Sequence, residues 1–267
     1  MTVFAAGSAY AIYDLTERIT HMVPMEPVIW LRYDSSKNLQ PVPKSLQDVR
    51  TIVCFGDSIT RGGRDGGYVG VMQQYIRAIL PEQKIEIVNS GVDGDSTRNL
   101  LQRIDKDVWA HKPQLVTLLV GVNDIARRYQ YHNNAGNSPR GVQLDEYIAN
   151  VKSIISQAKE HNVKIILISP GLIIENIDHP GNERLTEYVS ALEKLAKESN
   201  IQYVDVHKTY ADLIALYRKE TGATDCLLTR DGTHPNQAGA KVIANCLLNE
   251  IGITSNSRFA VQKDSPW

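Results

Sequence analysis

The 267-residue sequence predicts an α/β protein: a five-stranded parallel sheet with helices packed on both faces. Three observations lead there. From about residue 49 onward, short β-type apolar runs alternate with helical patterns. The clearest run, Leu115 to Val120, is continuous rather than alternating, as in a strand covered on both faces. Apolar residues make up 42% of the chain, enough for a full core without disulfide or metal staples.

Taken in order, Thr51 to Phe55 is the first strand and ends at Gly56. Tyr68 to Leu80 reads helical, and Ile85 to Val88 is the second strand. Asp95 to Ile104 is a helix opened by an Asp or Ser cap. Leu115 to Val120 is the third strand. Between Asp145 and Lys159, Tyr147, Ile148, Val151, Ile154, Ile155 and Ala158 form the stripe of an amphipathic helix. Val163 to Ser169 is the fourth strand. Leu185, Tyr188, Val189, Leu192, Leu195 and Ala196 mark another helix, and Ile201 to Val206 is the fifth strand. The last helix runs from about Gln237 to Glu250 and stops at Gly252. Before residue 49 the chain is irregular, with Pro24, Pro27, Pro41 and Pro43 and one strand candidate, Val28 to Tyr33. The expected organisation is an extension over 1–48 too short for an independent domain, one domain over 49–252, and a tail over 253–267.

Composition narrows the function. Lys+Arg (29) and Asp+Glu (30) nearly cancel, so the basic excess of a nucleic-acid binder is missing. Three scattered cysteines, Cys54, Cys226 and Cys246, make neither a disulfide scaffold nor a zinc-ligand spacing. No Lys or Arg precedes Arg18, so the start lacks a signal peptide's basic segment. Runs such as Leu118 to Val122 fall far short of the ~20 residues of a membrane span. The expectation is a cytoplasmic protein with no integral membrane segment and no nucleic-acid partner. A homo-oligomer is left open. Gly-x-Ser-x-Gly, the phosphate-binding loop, the dinucleotide fingerprint and His-Glu-x-x-His are all missing. No cofactor and no metal are expected.

In a sheet of this kind ligands sit beyond the carboxyl ends of the strands. Four polar segments are expected there: Gly56-Asp57-Ser58-Ile59-Thr60 after strand one, Asn89 to Asp95 after strand two, Gly121-Val122-Asn123-Asp124 after strand three, and Asp231-Gly232-Thr233-His234-Pro235 in the loop after strand five. Each alone has an ordinary reading as a turn, a helix cap or a local hydrogen bond. Together their chemistry is complementary. A serine hydroxyl needs a general base, which His234 supplies. Asp231, three residues earlier, can fold back onto the same ring and set its tautomer. The Ser58 and Gly94 N–H groups and the Asn123 amide are candidate donors to an oxyanion.

These blocks resemble those of the SGNH hydrolases, also called GDSL esterases/lipases: Ser58 in Gly-Asp-Ser-Ile, Gly94 in Val-Asp-Gly-Asp, Asn123 in Gly-Val-Asn-Asp, and His234 in Asp-Gly-Thr-His-Pro, with Asp231 matching the acidic member of the triad. The likeness spans Thr51 to about Ile251. It implies a flavodoxin-like three-layer α/β/α fold and metal-free ester hydrolysis through an acyl-serine. Gly63-Arg64, Gly67-Tyr68-Val69, Arg98-Asn99-Leu100, Arg103 with Asp107-Val108, and Leu144 to Tyr147 look like the bacterial acetylxylan-esterase-like branch. Arg61, Ile104 and Ala126 depart from that branch: an acidic residue is usual at the first position and tryptophans at the other two. The alcohol part of the substrate therefore stays open.

Arg61, Arg64 and Arg127 flank the site as candidate contacts to a polar or anionic substrate group, with a solvated role as the alternative. Asp57 joins them as a candidate contact, although its position before Ser58 suits a carboxylate that fixes the loop. Cys54 is expected to be a core thiol and Trp109 a packing residue. The expected activity is hydrolysis of short acyl esters, acetyl above all, of a carbohydrate or other small alcohol. A lysophospholipase or thioesterase on longer chains, or an acyltransferase with the same triad, are the alternatives.

Overall fold

The computed structural model describes residues 41–64, 66–129 and 141–253, apart from the side chains of 126–129. The strand expected at Val28 to Tyr33 lies outside these residues. Five strands, β1 (Thr51–Gly56), β2 (Glu86–Gly91), β3 (Leu115–Leu119), β4 (Lys164–Ile168) and β5 (Gln202–Val204), form one parallel sheet in the order β2-β1-β3-β4-β5. Central β1 and β3 are buried along almost their whole length, which is why they read as unbroken apolar runs. Edge strand β2 alternates in burial and β5 is short.

The helices among the described residues are α1 (Ser58–Arg61), α2 (Gly67–Ile79), α3 (Thr97–Asp107), α4 (Val122–Tyr129), α5 (Leu144–Glu160), α6 (Pro180–Ser199), α7 (Val206–Thr221) and α8 (Gln237–Glu250). On one face α2 packs with α8 and α8 with α7; on the other α5 packs with α3 and α6. This is the three-layer arrangement the sequence predicts. Its chain order winds outward in both directions from β1 and β3. Those two neighbours are the topological switch point, where their carboxyl ends open a crevice.

Several expectations shift. Strand five ends at Val204, because Asp205 turns the chain and caps α7 by accepting from the Lys208 N–H at 2.9 Å. Helix α7 was not expected. Val206, Tyr210, Leu213 and Ile214 carry its buried stripe, but Val206 sits at the end of an apolar stretch that reads as strand. The Asp231–His234 segment therefore follows a helix rather than leaving a strand directly. The third helix opens at Ser96, not Asp95, with the Asn99 side chain accepting from the Ser96 N–H at 3.0 Å. Residues just outside the expected limits of 49 and 252 also pack on the sheet domain. Leu46 is wholly buried, Ser45 Oγ donates to Ile251 O, and Ile253 is in the core.

Candidate active site

Ser58 stands where β1 ends. A Cβ at Gly56 would lie 2.2 Å from Leu119 O and 2.3 Å from Thr60 Oγ1, so only glycine lets β1 pass that close to β3 before turning. Asp57 then caps α1, its Oδ1 accepting from the Ile59 N–H at 2.9 Å. The cap places Ser58 as the first helical residue, with its hydroxyl partly exposed at the crevice. Across the crevice, His234 Nε2 is 3.0 Å from Ser58 Oγ. His234 Nδ1 is 2.7 Å from Asp231 Oδ2. The other Asp231 oxygen accepts from the N–H groups of Thr233 (3.0 Å) and His234 (2.7 Å). Partial burial pushes the Asp231 carboxyl up, but those two N–H groups and the imidazole together outweigh it and hold the carboxyl below its usual range. Asp231 is thus kept ionised beside the ring.

The candidate oxyanion donors also gather. Gly94 turns the loop after β2 at φ +76°, and the next residue, Asp95, accepts from Asn123 Nδ2 through its carbonyl at 3.0 Å. Among the described residues, neither the Ser58 nor the Gly94 N–H donates to a protein acceptor.

The candidate substrate contacts fare differently. Asp57 is wholly buried and cannot reach a substrate; its carboxylate serves the Ile59 N–H and lies 3.5 Å from Asn123 Nδ2. Burial, opposed by the Ile59 N–H and reinforced by Asp124 and Asp95, pushes its carboxyl up to about 7. Arg61 is engaged by Asp93 at 2.5 Å. Arg64 is exposed, and neither it nor Arg61 lines the cavity at Ser58. The Arg127 side chain lies outside the described residues. The arginine that does line this cavity is Arg230, with its Nε 3.9 Å from Asp231 Oδ2. The cavity measures about 200 Å³ and is walled by Gly62, Gly63, Gly67, Tyr68 and Pro235 as well as Ser58 and His234. A larger groove of about 690 Å³ between α5 and α6 contains neither Ser58 nor His234.

Three supporting residues have roles that the sequence motifs do not assign. Arg103 donates to Gly56 O (2.8 Å) and Ser90 O (3.0 Å) and pairs with Asp95 (2.6 Å) and Asp107 (3.0 Å), tying the ends of β1 and β2 to the Gly94 loop. Its i, i+4 pairing with Asp107 was visible in sequence. Asp124, whose ordinary reading is a helix cap, caps α3 rather than its own helix by accepting from the Thr97 N–H (3.0 Å) and hydroxyl (2.6 Å). Burial pushes its carboxyl up to about 6. Buried Glu175 holds the segment leading to His234. Elsewhere Cys54 is a core thiol pushed up to about 12 by burial, and Trp109 packs on His161 at 4.5 Å between ring centroids. Ile104 is 3% exposed, so a tryptophan there would fill core and not face substrate.

A hydroxyl, an imidazole and a carboxylate in line at the carboxyl end of a parallel sheet form the arrangement of a serine ester hydrolase. The chain belongs to the GDSL-like lipase/acylhydrolase family, which it matches over residues 54–242. It is 31% identical over 214 residues to the acetylxylan esterase of Geobacillus stearothermophilus, covering 75% of this chain and 93% of that one. It is 28% identical to the isoamyl acetate-hydrolysing esterase of Saccharomyces cerevisiae, over 76% of this chain and 87% of that one. The crystal structure of the Geobacillus esterase, Axe2, superposes with a TM-score of 0.66 at 30% identity over 76% of this chain and 94% of that one. Solved forms of Axe2 include catalytic mutants at a serine, an aspartate and a histidine. The fold and family make this chain a carboxylic ester hydrolase of the acetylxylan-esterase-like branch. Among its described residues no helix is long and apolar enough to cross a membrane.

Proposed function

We propose that the protein hydrolyses acetyl and other short acyl esters of a carbohydrate or small alcohol through an acyl-Ser58 intermediate. The observation that carries this is the line Ser58 Oγ, His234 Nε2, Asp231, at 3.0 and 2.7 Å. His234 takes the Ser58 proton as Oγ attacks the ester carbonyl. The tetrahedral oxyanion is met by the N–H groups of Ser58 and Gly94 and by Asn123 Nδ2. When the C–O bond breaks, His234 returns the proton to the departing alcohol. A water, deprotonated by the same ring, then releases the acid and restores Ser58. A cavity of about 200 Å³, smaller than the ~300 Å³ at which drug-sized pockets begin, favours a short acyl group. So does the naming of two relatives for acetyl esters.

The test is turnover of p-nitrophenyl esters from acetate to laurate beside acetylated sugars, for the wild type and Ser58→Ala. The wild type is expected to have its highest kcat/KM at acetate. Ser58→Ala is expected to lose about 10⁶-fold in kcat with an unchanged circular dichroism spectrum. Turnover surviving in the alanine variant would refute the acyl-serine route, and a maximum at long chains would refute the short-acyl preference.

A further inference from the structure

His234 sits on a poor scaffold. Between α7 and α8 the described chain carries no strand or helix, only a single bridge between Thr229 and Pro235. Loops of this kind are mobile unless side chains tie them down. Yet a 3.0 Å contact with Ser58 demands that the ring be held to a fraction of an ångström.

We propose that Glu175 is the positioning residue for the Asp231–His234 pair. This rests on the reading of His234 as the base acting on Ser58. Glu175 lies in the loop between β4 and α6 and is 4% exposed. One of its oxygens accepts from the N–H groups of Leu227 and Leu228, the latter at 3.0 Å. The other accepts from the Thr229 N–H at 2.7 Å and the Thr229 hydroxyl at 2.6 Å. Three successive backbone N–H groups thus converge on one carboxylate, an anion-binding nest made by the chain itself. The Thr229 hydroxyl passes the restraint on, accepting from the Gly232 N–H at 3.1 Å between Asp231 and Thr233. The Thr233 hydroxyl closes the far side on Ile173 O.

The anchor is itself anchored. Buried Asn182 of α6 accepts from the Ile173 N–H at 2.9 Å and donates to Ile174 O and Asn176 O, both at 2.7 Å. Arg218 of α7 donates to Glu175 O at 2.5 Å. Glu175 therefore transmits the rigidity of two packed helices to a loop with little of its own. Only a carboxylate suits the place. Each oxygen faces at least two donors, so a glutamine amide would point its own N–H at donors in either orientation. Aspartate would be too short to reach.

The test is kcat, KM and the low-field proton signal of the His234 Nδ1–H···Asp231 bond, read in Glu175→Gln and Thr229→Val well below their melting temperatures. Thr229→Val removes one donor to Glu175 at constant volume and serves if the glutamine variant does not fold. Glu175→Gln is expected to lose about 10²-fold in kcat, as for a ~1 Å misplacement, with KM nearly unchanged and the low-field signal broadened or lost. Thr229→Val should shift both readouts in the same direction by less. Lowered melting temperatures with kcat and the signal intact would overturn the proposal and leave Glu175 a purely structural residue. His234→Ala separates the two ideas: if it keeps wild-type turnover, the reading of His234 as the base fails, whatever Glu175 does.

Discussion

Ser58 and His234 meet across 3.0 Å, but they arrive from parts of the molecule held by different means. Ser58 follows β1, an interior strand of the sheet. Phe55, Asp57 and Thr60 around it are wholly buried, and β1 is bonded on both sides by β2 and β3. Backbone ladders and apolar packing fix it. His234 hangs on a loop fixed mainly by two side chains: Glu175, which accepts from main-chain N–H groups, and Asn236, which donates to Leu227 O and accepts from the Gly239 N–H. The serine half draws precision from the fold. The histidine half draws it from a few buried polar contacts, each of which one substitution can remove. Damage on the two sides should therefore differ in kind: lost stability on the first, lost alignment in a folded protein on the second.

The largest expected effect that sharpens this contrast is at Asp231. Asp231→Asn keeps the size of the side chain but reverses one hydrogen-bonding partner of the ring. The tautomer that leaves Nε2 free to accept from Ser58 is then disfavoured. A fall of about 10⁴-fold in kcat is expected, with a melting temperature close to wild type. A steep drop in melting temperature would show that this half, too, is built into the fold. Next is Asn123→Ala, which removes a single proposed oxyanion donor. Its expected cost is about 10²-fold in kcat with KM little changed. An unchanged kcat would leave only the two backbone N–H groups as donors.

The same contrast explains what sequence could reveal. Strands β1 and β3 and the Ser58 block were readable because sheet burial writes a local signature: an apolar run, then a glycine, then an Asx cap. The Asp231–His234 block was readable because its carboxylate and ring lie three residues apart. Glu175 was not, because its partners stand 52 to 54 residues away and nothing local marks a nest. Arg230 reads as one more surface arginine until the fold brings it beside Ser58. Helix α7 is the opposite case. Its periodic stripe from Val206 to Ile214 is plain, and it was hidden only by running straight on from β5.

The smallest expected effect on turnover belongs to Asp57, and it shows what the serine half costs. Its carboxyl, ordinarily near 3.8, is pushed up to about 7 in the folded protein, chiefly by burial. The sign follows. Below about pH 4 the group is protonated folded and unfolded, and its proton costs the fold nothing. Between about 4 and 7 the unfolded chain releases that proton while the folded one keeps it, so stability falls by up to about 1.4 kcal/mol per pH unit. Above about 7 both forms are ionised, and the fold carries the whole cost of a buried charge. Asp57→Asn has no charge to bury and can still cap α1, since asparagine is as good an N-cap as aspartate. Relative to wild type it should gain stability steadily from pH 4 to 7 and level off above, by about 4 kcal/mol at most. Its kcat should fall less than that of Asn123→Ala. Urea unfolding of both proteins at half-unit steps from pH 4 to 8 reads this directly. A difference independent of pH would mean that the Asp57 charge is already compensated by the N–H groups around it. The sheet half of the site would then carry no electrostatic cost to set against the side-chain anchoring of the other half.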